Sequence, residues 1–97
     1  MIVHTVLFKI KPGTSKDKVD SMTDSLNGLK KEIPELLELH VGVNFSPRNQ
    51  SYDIMLYSRF DDLKALQTYS DHPSHRKVIE EKVHPIREDV IVGDLEF

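Results

Sequence analysis

The chain has no cysteine and no tryptophan. Without a thiol there is no disulfide, no thiolate nucleophile and no cysteine-held metal, a usage that fits a reducing cytosol. No apolar run approaches the roughly 20 residues of a membrane-spanning helix, and the alternating opening MIVHTVLFKIK is too short for a signal-peptide core. The expectation is a cytoplasmic protein with no membrane partner. A basic stripe is missing too. The 13 Lys and Arg are scattered among 16 Asp and Glu, for a net charge of −3, so no nucleic-acid partner is expected. The four glycines form neither a phosphate-cradling loop nor the elbow that presents a nucleophilic serine.

What remains is ordinary globular material. Apolar residues make up 38% of the 97 residues and charged ones 30%, enough chain for one core and one domain over 1–97. Residues 2–11 alternate, with Ile2, His4, Val6, Phe8 and Ile10 on one side and Val3, Thr5 and Leu7 on the other. Pro12-Gly13 ends this strand. Thr14 or Ser15 then caps a helix, with Asp17 in capping-box spacing from Thr14. Its stripe is Val19, Met22, Leu26, Leu29 and Ile33, at intervals of three and four, before Pro34.

A second strand is expected over 37–45, with Leu37, Leu39, Val41, Val43 and Phe45 on one face. The loop SPRNQS follows, then a third strand over about 52–60 with Ile54, Leu56 and Phe60 opposite Met55, Tyr57 and Arg59. Asp61 is the expected cap of a short helix bearing Leu63, Leu66 and Tyr69. Pro73 starts another helix, with His72 as its cap, and Pro85 closes it. DVIVGDLEF supplies the last strand, 89–97.

The order β-α-β-β-α-(α)-β with right-handed crossovers predicts an α+β ferredoxin-like sandwich, a four-stranded antiparallel sheet with helices on one face. Helices cover only one face. Val3, Leu7, Met55 and Tyr57 then form an apolar patch on the other, and a homodimer packed sheet to sheet buries it most simply.

The segments IVHTVLFKIKPGTS, YDIMLYSRFDDLKALQTY, HPSHRKV and VGDLEF together resemble the stress-responsive α/β-barrel (Dabb) family, in order and spacing over nearly the whole chain. The resemblance implies a ferredoxin-like protomer whose sheet meets that of a second copy in a dimeric α+β barrel. The family holds heat-stable stress proteins and a plant polyketide cyclase that closes a linear chain by aldol condensation. Carried over position by position, the cyclase's acid/base histidine falls on His75, its supporting tyrosine on Tyr69 and a strand-one pocket histidine on His4. Ile54 stands where the cyclase has a further histidine.

Three candidates therefore carry chemistry: His75, Tyr69 and His4. His75 shares a helix face with Ile79 and Val83 and is expected to look toward the sheet, where a neutral imidazole serves as a base near pH 7. It reads equally as a core-edge histidine satisfied by backbone or water. His4 interrupts an apolar strand face, and burying it unpaired costs about 1–3 kcal/mol. The expected pocket, suited to a small apolar or aromatic ligand, is lined by Val6, Phe8, Ile54, Leu56, His72 and Ile79. His40 and His84 read as surface residues. His72, His75 and His4 are a thin set for a transition metal, with no carboxylate to complete it, so neither a metal nor another cofactor is expected. The alternative to a pocket enzyme is a non-catalytic dimeric stress protein. A third reading, a cofactor-free or haem-using monooxygenase of related dimeric barrels, rests on fold analogy alone.

Overall fold

In a computed structural model describing Met1–Phe97, the elements are β1 (Ile2–Ile10), α1 (Lys16–Glu32), β2 (Glu38–Val43), β3 (Ile54–Phe60), α2 (Leu63–Asp71), α3 (Pro73–Val78), a π-helical turn (Ile79–Val83) and β4 (Arg87–Glu96). The strands lie in the order β2-β3-β1-β4, with every neighbouring pair antiparallel. Each helical connection thus joins two strands that have a third between them. This is the ferredoxin-like sandwich.

The core is where the two periodicities meet. β1 turns Ile2, Val6 and Phe8 toward the helices, and β3 adds Ile54, Leu56 and Phe60. From above, α1 lowers Met22, Leu26 and Leu29, followed by Ile33 just past its end. Burying each such side chain contributes about 1.5–3 kcal/mol. Ser58, in the same row of β3 and wholly buried, satisfies its hydroxyl by donating to the His4 carbonyl at 2.8 Å.

Several boundaries differ from the sequence reading. Of the two caps expected for α1 it is Ser15 that serves, accepting from the Lys18 amide, while Thr14 Oγ1 donates to the Lys11 carbonyl at 2.6 Å. Asp62 rather than Asp61 caps α2, through the Ala65 amide at 2.8 Å. β2 is shorter than 37–45, and Leu37, Val43 and Phe45 are exposed. Its last partner is Ile54, opposite Val43. Beyond that pair the Asn44 side chain bonds the Tyr52 carbonyl, and Gln50 and Ser51 turn with φ of 51° and 70°. The chain has no strand left there to pair with.

The outer edge of β2 is blocked at one point from within. Asn27 of α1 donates to the Val41 carbonyl and accepts from the Val41 amide, both at 3.0 Å.

On the uncovered sheet face, Val3 pairs with Leu95, Leu7 with Ile91, Leu7 also with Met55, and Thr5 with Tyr57. Met55, Ile91 and Leu95 are exposed. No helix is long and apolar enough to cross a membrane.

Candidate functional site

Three elements converge at the edge of the core. β1 brings His4 on the face turned to the helices. α2 ends at Asp71 and places Tyr69 in its last turn, 1% exposed. His72 then stops α2 and starts α3: its Nδ1 accepts from the Ser74 amide at 3.1 Å, and Pro73 fills the first helical position. His75 follows in the first turn, with its ring centroid 4.3 Å from that of Tyr69. Tyr69 is 6.3 Å from the His4 ring and rests against Phe60 at 5.2 Å. The phenol therefore sits between two imidazoles.

These rings border a cavity of about 280 Å³ between sheet and helices. Val6, Phe8 and Leu56 line it from the sheet, and Leu26, Ile79 and Val83 from the helices. An open depression at Ser70, His75, Arg76, Ile79, Glu80 and His84 adjoins it and shares four of its residues, Ser70, His75, Ile79 and His84. His75 thus has an approach from solvent.

The hydrogen bonds assign the ring nitrogens. His75 Nδ1 lies 3.2 Å from the Ser70 carbonyl. A carbonyl only accepts, so Nδ1 carries the proton and Nε2 keeps its lone pair. Burial, aided by repulsion from His4 and Arg76 and opposed by the Ser70 bond, holds the His75 pKa below 6.5. The ring is neutral at pH 7. His4 Nδ1 lies 2.5 Å from Asp94 Oδ1, which likewise leaves Nε2 as its free atom. Burial pushes the Tyr69 phenol well above its usual range, so it remains an O–H donor.

Of the residues singled out from sequence for chemistry or ligand contact, His4, Val6, Phe8, Leu56, Tyr69, His75 and Ile79 line this cavity. Ile54 and His72 do not. Ile54 is packed in the core between Phe8 and Val43, and the His72 ring is spent on the helix cap. No three His, Asp or Glu side chains are grouped to hold a metal ion.

Besides the apolar Leu26, Val83, Val90 and Val92 of the wall, four polar residues of the site escape sequence reasoning. Asp94 is 90 positions from His4, and only the β1–β4 register sets them opposite. Ser70 contributes its backbone carbonyl. Arg87 lies at the start of β4 on the cavity wall. His84 is a surface residue, as expected, and the π turn closes from its amide to the Ile79 carbonyl at 2.8 Å. That wider turn stacks His84 below Ile79, on the cavity rim.

Comparison with known proteins agrees with this architecture. The chain is 31% identical over 99 residues to a stress-response A/B barrel domain-containing protein of Arabidopsis thaliana, a match covering 97% of this chain and 36% of that protein. It therefore spans about a third of that relative's length. Among solved structures, a dimeric ferredoxin-like protein from Bacteroides fragilis superposes with TM-score 0.85 at 27% identity, covering 99% of this chain and 95% of that one. The hydroxynitrile lyase of Passiflora edulis shares the fold with TM-score 0.87 at 19% identity, over 97% and 90% of the two chains. The family model for the stress-responsive A/B barrel domain matches residues 2–97, and the chain belongs to that family.

Proposed function

We propose that this chain is a small-molecule-binding domain that performs acid/base chemistry on a carbonyl compound, working as a homodimer. The observation that carries the reading is His75. Its Nδ1 is committed to the Ser70 carbonyl, its ring is neutral, and it stands 4.3 Å from the Tyr69 ring on a solvent-reachable cavity.

The chemistry follows from those groups. Nε2 of His75 takes the proton from a carbon next to a carbonyl, and the C–H electron pair moves into the enolate. The Tyr69 O–H donates to the developing oxyanion. His4, oriented by Asp94, supplies a second imidazole on the same wall. Returning the proton completes an exchange, and attack of the enolate on a second carbonyl closes a ring. The cavity admits a molecule of about two fused rings, at the small end of ligand sites. That a hydroxynitrile lyase uses the same fold gives an enzyme on this scaffold a precedent.

The test is exchange of α-protons for deuterium in a small cyclic ketone such as 2-tetralone, followed by NMR. Wild type should exceed buffer, and His75→Gln should fall back to it. Wild type no faster than buffer refutes the catalytic reading.

The dimer rests on the uncovered sheet face of Val3, Leu7, Met55 and Tyr57, extended by Ile91 and Leu95. The B. fragilis structure, described as dimeric, supports it. The same face favours a second reading, a durable non-catalytic dimer, which stands if the exchange assay is negative and the chain still pairs.

A further inference from the structure

One charge in the cavity has no counterpart. Arg87 is half-buried on a wall otherwise built largely from apolar and aromatic side chains. It forms none of the chain's five ion pairs. The carboxylate that feels its charge, Asp89, is on the opposite sheet face beside Lys9 and is already occupied by the Tyr52 hydroxyl and the Val90 amide. No Asp or Glu lines the cavity; its other titratable neighbours are Tyr69 and the rings of His4, His75 and His84.

A guanidinium facing an apolar cavity without a partner is a receptor for an anion, which its planar fork binds in two places at once. We propose that the molecule bound here carries an acidic group, a carboxylate or its like, which Arg87 holds with His84 beside it. This rests on the cavity reading above and narrows its ligand to an apolar body with one anionic end.

Geometry sets the two ends apart. Arg87 pairs with Ile10 at one end of β1, and His4 lies six residues away at the other, roughly 20 Å along the strand. On the helix side, His75 and Val83 are separated by eight residues, roughly 12 Å. The apolar body then lies along Phe8, Ile79 and Val83, with the reacting carbon under His75 and the acidic group at Arg87. Charge, not shape alone, fixes which end enters first.

The test compares two probes of nearly equal shape, 2-naphthoate and the neutral 2-naphthamide, by calorimetry on the full chain. Wild type should prefer the naphthoate by about tenfold or more, the scale of one charge-assisted hydrogen-bond pair. Arg87→Gln should remove that preference and leave naphthamide within about twofold, while Arg87→Lys, which keeps the charge, should retain part of it. Equal binding of the two probes by wild type, or an equal effect of Arg87→Gln on both, overturns the anion site and leaves the cavity reading standing. Binding of neither probe overturns both.

Discussion

Asp94 Oδ1 and His4 Nδ1, 2.5 Å apart on paired neighbouring strands, form a carboxylate–imidazole pair whose free nitrogen belongs to the cavity wall. The aspartate is half-exposed, its partner's ring mostly covered, so the pair's main effect is on orientation rather than stability. Asp94→Ala should release the ring to both neutral tautomers. Nitrogen-15 spectra above neutral pH should show Nδ1–H dominant in wild type and a mixed population in the variant. An unchanged tautomer ratio would mean that something else orients His4.

His75 gives a pH dependence of known sign. Its folded pKa is held below 6.5, chiefly by burial, so the unfolded chain binds that proton more readily. The contribution is fully present above pH 6.5 and is lost as pH falls through the lower folded value. His75→Gln should flatten that part of the slope of unfolding free energy below pH 6.5 and leave it unchanged above. A direct NMR titration should place the His75 midpoint below 6.5.

Tyr69 separates packing from chemistry. The ring is 1% exposed against Phe60 and both imidazoles, so Tyr69→Ala should cost about 3–5 kcal/mol in urea unfolding. Tyr69→Phe keeps the ring and removes only the donor. It should unfold within about 1 kcal/mol of wild type while slowing α-proton exchange about tenfold or more. Equal exchange rates would take Tyr69 out of the chemistry.

The sheet-face dimer is tested by charge. A carboxylate buried at Leu7, which faces Ile91 and Met55 across its neighbouring strands, would lie unpaired in the interface. Leu7→Asp should bring the mass in light scattering from twice the chain's 11.2 kDa to that value. A variant that still pairs would move the interface elsewhere.

Much of the fold was legible because β1 and α1 each state their period without ambiguity. Ile2, Val6 and Phe8 alternate, and Met22, Leu26 and Leu29 recur at three and four. Hydrophobicity misled at Phe45, because a strand needs a partner and β3 begins only at Ile54, opposite Val43. Local signals also found His75, whose direction follows from the face it shares with Ile79. Asp94 and Arg87 carried no such signal. Each enters the site through the register of β4 on β1, a long-range pairing that a linear pattern does not encode. His84 lies at the surface as expected, but its place on the cavity rim depends on one π turn, and nothing in IEEKVH announces the extra residue.

The Asn27 clamp on Val41 decides what kinds of assembly the protein can build. An amide that fills the outward donor and acceptor of Val41, within β2, interrupts the template an incoming strand would need on that side. Chains that join by strand addition need two open edges to go on joining, and here one of the two, β2, is obstructed at Val41. Continued growth through the sheet edge is therefore disfavoured. The molecule is steered toward closed complexes with a fixed number of copies and away from filaments.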